Sequence, residues 1–292
     1  MPATIIIPAY NEEQGITEVL EELCGVFDDG AAVEILVVDD ASTDQTAQKT
    51  EEFISSKSDW NGSLRLIRHE TNRGYGASLK SGVRESEHEH IVITDADGTY
   101  PASAILELLE ALEQNEMAVG ARTGANVQIP LVRRPAKWFL AKLANYLAGV
   151  KIPDLNSGLR AMRKSSVERH LSILPNGFSF TTTMTMALLS SGSGVHFKPI
   201  DYRPRKGRSK IRPIRDTLNF ISLILRTTIY FNPLKVFLPI ALLLELAAAG
   251  VFVWSWRQGQ ILDATVSILF MTGVQAAILG LLADLVVRRT SN

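Results

Sequence analysis

Short, nearly continuous apolar runs recur along the first two hundred residues, at Thr4–Ile7, Val33–Val38, Leu64–Ile67, Ile91–Thr94 and Met117–Val119. They are rich in β-branched residues, as strands covered on both faces by helices are. Between the first two runs the period changes. Ile16, Val19, Leu20, Leu23 and Phe27 fall on one face of a helix predicted over Glu12–Phe27. Asn11, with Gln14 three residues on, predicts a cap and its reciprocal partner at the start of that helix. Further helices are predicted over Asp44–Ser56, Ala77–Ser86 and Ala102–Asn115, the last opened by Pro101. Strand–helix alternation of this length predicts an α/β fold with a Rossmann-like, mostly parallel sheet.

The last third follows a different pattern. Val236–Trp256 contains one charged residue, Glu245, and Ala264–Val287 contains one, Asp284. About 20 apolar residues cross a bilayer, so these runs, at about 236–256 and 264–287, are predicted to form a C-terminal two-helix transmembrane hairpin. Trp254 and Trp256 close the first span as an interfacial aromatic belt would. Lys235 precedes it, Arg288-Arg289 follow the second span, and the connection Arg257–Asp263 holds only Arg257 as a cation. The positive-inside rule predicts both ends, and the α/β domain, on the cytoplasmic side of an integral membrane protein, here a prokaryotic inner membrane. Upstream, Ile214, Leu218, Ile221, Leu225 and Ile229 lie at helical spacing within Pro213–Phe231, among Arg215, Asp216, Asn219 and Arg226. An amphipathic helix at the membrane–water interface is predicted there. The expected organisation is an α/β domain over 1–212, an interfacial helix over 213–232 and the hairpin over 233–292.

Composition changes this picture little. The 292 residues are 46% hydrophobic and 21% charged, with a formal net charge of -1, which excludes a disordered chain. Charge distribution says more: seven basic residues and no acid lie between Arg203 and Arg215. No nucleic-acid partner is expected. The lone Cys24 falls on the apolar face of the first helix and reads as a buried small hydrophobe. The first apolar run is too short for a signal-peptide core, in keeping with a cytoplasmic domain. His88 and His90 lie in a charged stretch and are expected to be solvated.

The chemistry gathers at strand ends. Asp95-Ala96-Asp97-Gly98 follows the fourth strand, and open α/β sheets bind ligands at the carboxyl ends of their strands. Two carboxylates one residue apart can face a hard divalent cation, Mg²⁺ or Mn²⁺, whose other ligands are substrate phosphates. Asp39-Asp40 closes the second strand, where a carboxylate can accept hydrogen bonds from a base or ribose. Capping by Thr43 or Asp44 is the alternative for that region. Pro8-Ala9-Tyr10-Asn11-Glu12 closes the first strand. Gly74-x-Gly76 reads as a tight turn into the next helix.

In this order, Pro8-Ala9-Tyr10-Asn11-Glu12, Val38-Asp39-Asp40-Ala41-Ser42 and Asp95-Ala96-Asp97-Gly98 resemble family-2 glycosyltransferases of the GT-A fold. The nearest group is dolichol-phosphate mannose synthase and its bacterial polyprenyl-phosphate relatives. Asn72-Arg73-Gly74-Tyr75-Gly76, Asp154-Leu155-Asn156-Ser157-Gly158-Leu159-Arg160 and Arg205-Lys206-Gly207-Arg208-Ser209-Lys210 extend the likeness along the chain. The resemblance implies that Pro8, Tyr10, Glu12 and one of Asp39 or Asp40 cradle the nucleoside of a nucleotide-sugar donor. It implies that Asp95, Ala96 and Asp97 handle the metal and the donor diphosphate, and that Arg122 and Lys210 neutralise phosphate charge. Many members carry leucine and glutamine after the triplet, where this chain has Gly98 and Thr99.

A lipid monophosphate acceptor is already largely ionised and needs cations more than a base. Arg133, Arg134 and Lys137, ahead of Trp138-Phe139-Leu140, fit such a phosphate on a prenyl tail beside membrane lipid, with Arg205 as a further contact. Asp154 is expected to orient the acceptor, serve as a base, or cap a turn. The expected activity is inverting transfer of a hexose from a UDP- or GDP-sugar to dolichyl or undecaprenyl phosphate. The rival readings are transfer to a saccharide hydroxyl, a sugar-nucleotide-forming nucleotidyltransferase and a catalytically silent membrane scaffold. Association through the hairpin into a homo-oligomer is left open.

Overall fold

The computed structural model describes residues 1–28, 32–123, 142–203, 221–222, 224–226, 228–259 and 263–290. Arg133, Arg134, Lys137, Trp138–Leu140, Arg205–Lys210 and the first part of the expected interfacial helix lie outside the described residues. The sheet has seven strands: β1 (Ala3–Ala9), β2 (Val33–Asp39), β3 (Ser63–Arg68), β4 (His90–Ile93), β5 (Met117–Ala121), β6 (Arg160–Arg163) and β7 (Val195–Pro199). Their order is β3-β2-β1-β4-β6-β5-β7. All neighbours run parallel except β6, which is antiparallel to both β4 and β5.

Side-chain alternation explains the two layers of helices. Ile5, Ile7, Ile35 and Val37 face α1 (Ile16–Val26), α2 (Thr46–Ser56) and α4 (Ala104–Ala111) through Leu20, Leu23, Phe53, Ile105 and Leu108. The intervening Ile6, Leu36 and Val38 face α3 (Tyr75–Glu85) and α6 (Phe180–Ser190) through Leu79, Val83, Phe180, Met184 and Leu188. A strand buried on both faces cannot alternate apolar with polar residues, hence the continuous runs in the sequence. The short α5 (Lys164–His170) leads from β6 toward α6.

Two features depart from the sequence reading. The first helix begins at Ile16, and Asn11 does not cap it. Asn11 adopts a φ of 55° and its Oδ1 accepts from the Thr43 N–H at 2.8 Å, tying the end of β1 to the end of β2. His88 and His90 are half-buried rather than solvated; His88 Nδ1 lies 3.1 Å from Thr4 Oγ1.

The hairpin is α7 (Leu234–Arg257) and α8 (Asp263–Thr290), with mean hydropathies of 2.4 and 2.0 over their apolar cores. Ala241, Ala248 and Ser255, each seven residues apart, are the buried residues of α7, the spacing of a left-handed helix–helix seam. Pro239 lies inside α7, and a proline cannot donate to the carbonyl four residues back. That carbonyl belongs to Lys235, and it accepts instead from the Tyr146 hydroxyl at 3.4 Å. Lys235 Nζ in turn donates to the Leu147 carbonyl at 2.9 Å. A third apolar cluster, Ala144, Leu147, Ile152, Met186 and Ile224 with Val236, completes the joint between α/β domain and hairpin.

Phe180 is fully buried at the start of α6. Replacing it with alanine is expected to cost about 3–5 kcal/mol of stability, read from unfolding of the detergent-solubilised protein.

Candidate active site

The parallel strands deliver their C-terminal ends to one edge. Ala9 lies opposite Asp39, and Ile93 opposite Ile6, so the segments leaving β1, β2 and β4 emerge side by side. From β1 the chain steps one way to β2 and β3 and the other way to β4, which makes the β1/β4 junction the switch point where open sheets bind ligands. Asp95-Ala96-Asp97 and Tyr10-Asn11-Glu12 flank it. Pro8 is buried, and Tyr10 and Glu12 are half-buried. The approach is close: a Cβ on Gly15 would lie 2.6 Å from the Ala96 carbonyl oxygen and 3.1 Å from Asp97 Cα. Only glycine lets the first turn of α1 pack against the triplet.

Neighbouring Asp39 and Asp40 have different surroundings. Asp40 is saturated: its carboxylate accepts from the Arg73 and Gly74 N–H groups at 2.9 and 2.7 Å and contacts His69 Nδ1 at 2.7 Å. It holds the Asn72–Gly74 loop that starts α3, where Gly74 sits at a φ of 96°. Asp39 lines a cavity of about 490 Å³ with Ala41, Ser42, Arg68, His69 and Glu70. Its Oδ2 accepts from the Ser42 N–H at 3.3 Å, while its buried Oδ1 has no hydrogen-bond partner among the described residues. Ala41, beside them, has a φ of 58°, an uncommon conformation for a residue with a Cβ.

Beyond β4, Asp97 is buried and its Oδ1 accepts from both the N–H and hydroxyl of Thr99, at 3.2 and 2.6 Å. Thr99 therefore fixes the rotamer of Asp97. Asp95 Oδ1 accepts from the Tyr75 hydroxyl at 3.3 Å, and Tyr75 stacks on the exposed Phe178. Burial and the Asp95 charge both push the Tyr75 pKa up, so the phenol stays protonated and a donor. Among the described residues no group of three His, Cys, Asp or Glu side chains converges to hold a metal. Two hard carboxylates beside an open edge fit an ion whose shell is completed by phosphate oxygens.

Arg122, one residue past β5, meets Asp154 in a bidentate pair. Nε and Nη2 donate to its two oxygens at 2.7 and 3.0 Å, and the Arg122 N–H adds a third bond at 3.0 Å. Burial would raise the Asp154 pKa, but the bonds from Arg122 overcome this and hold it below the usual carboxylate range. Burial likewise acts to lower the Arg122 pKa, and the bond to Asp154 outweighs it, raising the pKa. The guanidinium also lies 5.3 Å from the Tyr202 ring centroid. Asp154 opens the turn 154–158, which ends against the triplet: a Cβ on Gly158 would lie 2.5 Å from Asp95 Oδ2.

The structure thus gathers Pro8, Tyr10, Glu12, Asp39, Asp40, Asp95, Ala96 and Asp97 at one edge and joins Arg122 to Asp154. Arg133, Arg134, Arg205 and Lys210 lie outside the described residues. Sequence reasoning gave no role to Tyr75, Tyr100, Thr99 or Arg160. Tyr75 and Arg160 lie within the quoted family segments and Thr99 was noted as a departure from the family pattern, while nothing in the local pattern marked Tyr100.

The sequence profile of glycosyl transferase family 2 matches residues 4–171. The chain belongs to that family. A second profile, the GtrB C-terminal hairpin, matches residues 232–288, and with α7 and α8 it marks a membrane protein. The dolichol-phosphate mannosyltransferase of Pyrococcus furiosus is 29% identical over 223 residues, covering 73% of this chain and 60% of that protein. The undecaprenyl-phosphate mannosyltransferase of Micrococcus luteus is 27% identical over 220 residues, covering 72% and 88%. The chain spans only 50–60% of the length of several curated relatives it matches. Among solved structures, glucosyl-3-phosphoglycerate synthase from Mycobacterium tuberculosis, in complex with Mn²⁺, UDP and glucosyl-3-phosphoglycerate, superposes with a TM-score of 0.59. At 19% identity, over 78% of this chain and 80% of that one, it shows the shared GT-A fold. Membership of that family sets aside the nucleotidyltransferase reading.

Asp154→Asn would leave the mostly buried Arg122 charge unpaired and is expected to cost about 3–5 kcal/mol. Because the folded-state pKa of Asp154 is depressed, its contribution is present above the ordinary aspartate value of about 3.9 and is lost as pH falls through the folded value. Unfolding measured against pH should therefore show a constant gap between wild type and variant from about pH 5 to 7. The gap should narrow in stronger acid.

Proposed function

We propose that the chain transfers a hexose from a UDP- or GDP-sugar to a polyprenyl phosphate, with inversion at the anomeric carbon, at the cytoplasmic face of the membrane. One observation carries the choice of a lipid acceptor. The site and the membrane end of α7 are joined by a short segment, since Leu147 holds Lys235 and Asp154 holds Arg122. Asp154 lies seven positions beyond Leu147, a reach of at most about 25 Å. An acceptor phosphate anchored at the bilayer surface is therefore within reach of the donor edge. The named relatives that act on dolichol phosphate and undecaprenyl phosphate support the same reading.

In the proposed reaction a phosphate oxygen of the acceptor attacks the anomeric carbon. The bond from that carbon to the donor diphosphate breaks, and the nucleoside diphosphate leaves with the bonding pair. Asp39, through its unmatched Oδ1, would accept an N–H from the base or a ribose hydroxyl, while Asp40 keeps the Asn72–Gly74 loop in place. Arg122, aimed by Asp154, would face the phosphates and stabilise the charge that develops on the leaving group. Asp95 and Asp97 would hold Mg²⁺ or Mn²⁺, which supplies Lewis-acid stabilisation to the diphosphate. Mn²⁺ with UDP in the structural relative supports a divalent cation as cofactor. Asp154 is engaged by Arg122 and its basicity is low, which disfavours it as the base that a saccharide hydroxyl would require.

Purified protein incubated with radiolabelled UDP- and GDP-hexoses and undecaprenyl or dolichyl phosphate should yield label in the lipid phase. Transfer only to saccharide hydroxyls would sink the proposal. Asp97→Asn should lower the rate about 100-fold or more.

Membrane orientation has its own test. Cys24 is buried and its thiol is pushed up to about 11, chiefly by burial, so it should stay silent to maleimide at neutral pH. Against that background Gln258→Cys should react with an impermeant maleimide in intact cells, and Ser165→Cys only after lysis. The reverse pattern would place the α/β domain outside.

A further inference from the structure

Arg160 opens β6 opposite Ile93 and Val119, level with the ends of β4 and β5. It is fully buried and is the largest side chain so enclosed among the described residues. A buried charge ordinarily needs a carboxylate partner. The contacts of Arg160 are neutral: Nε donates to the Ser157 carbonyl at 2.7 Å, Nη2 to the Leu155 carbonyl at 2.9 Å, and Nη1 to the Thr181 carbonyl at 2.9 Å and the Thr185 hydroxyl. Burial pushes its pKa down to about 10, which still leaves it charged at neutral pH.

Two of those carbonyls belong to the turn 154–158, and every residue of this turn except Leu155 reaches another part of the site through its side chain or N–H. Asp154 clamps Arg122. Asn156 Oδ1 accepts from Thr182 Oγ1 at 2.6 Å, and Ser157 Oγ donates to the Gly120 carbonyl. The Gly158 N–H donates to the Tyr100 hydroxyl at 2.7 Å, and its α-carbon abuts the Asp95 carboxylate. A guanidinium offers five donors in a rigid plane, enough to pin two carbonyls of one turn to helix α6 at once. No lysine has that reach.

We propose that Arg160 is a positioning residue for sugar transfer, bracing the turn that sets Arg122 and Asp95 relative to each other. Its removal should then act through Arg122, even though the two guanidinium groups share no contact. The proposal rests on the donor site described above, and its primary readout is nucleotide binding, which does not depend on the acceptor.

The test is calorimetric titration of UDP and GDP, with and without Mn²⁺, into detergent-solubilised full-length protein. Wild type, Arg160→Lys, Arg122→Lys and the double variant are compared, with thermal unfolding measured for each. Arg160→Lys should weaken Mn²⁺-dependent affinity about tenfold, and the double variant should be no weaker than the worse single variant, as for groups acting as one unit. Unchanged affinity in a folded Arg160→Lys protein, or losses that multiply in the double variant, would overturn the proposal. If Arg160→Lys does not fold, Thr185→Val removes a single bond to the guanidinium and decides in its place: about threefold weaker binding, again not multiplying with Arg122→Lys, is expected. Wild-type protein that binds nucleotide yet makes no lipid-linked sugar would defeat the acceptor assignment alone; protein that binds neither nucleotide would defeat both.

Discussion

Strand β6 runs against its two neighbours, and the arrangement of the site depends on that reversal. In the parallel part of the sheet, every strand brings its C-terminal end to the ligand edge. An antiparallel strand brings its N-terminal end there instead. Because β6 is inserted between β4 and β5, the turn that precedes it, 154–158, lands between the acidic triplet after β4 and Arg122 after β5. The acids and the cation of the site are thereby set beside one another although more than twenty residues separate them in sequence. The geometry costs the fold a buried guanidinium, which is tolerated because carbonyls and a hydroxyl meet its donors.

Charge at the edge is sorted by burial and hydrogen bonding rather than by residue type. Asp40 and Asp154 are spent on N–H groups and guanidinium, and both act on loops. Asp39 keeps a buried oxygen that no donor among the described residues reaches. A buried acceptor in that condition is costly unless a ligand supplies the donor, which separates it from its neighbour. Thr99 performs a related service for Asp97, so the residue that departs from the family pattern is part of the triplet's own support.

The hairpin is not a detached anchor. A proline within α7 frees the carbonyl of Lys235, and Tyr146 of the α/β domain answers it, while the lysine side chain returns the bond to Leu147. These contacts sit on an apolar cluster shared by both parts. Burying apolar surface there fixes where the sheet edge stands relative to the membrane end of α7.

The sequence by itself determined the five parallel-type strands, their helices and the two apolar spans, because each depends on a local period of hydrophobic residues. It also placed the acids of Tyr10-Asn11-Glu12, Asp39-Asp40 and Asp95-Ala96-Asp97 at strand ends, since a turn residue after an apolar run is a local signal. β6 and β7 escaped it: Arg160-Ala161-Met162-Arg163 and Val195–Pro199 are short and carry charge where a buried strand is expected to be apolar. Asn11 escaped as well, because a cap and a loop tie use the same side chain and differ only in what lies across the gap. Which aspartate keeps an open oxygen, which arginine finds a carboxylate and which is left among carbonyls are decided by residues distant in sequence. Only the tertiary structure brings those partners together, and hydrogen bonds, unlike hydrophobic periods, depend on the particular atoms that meet.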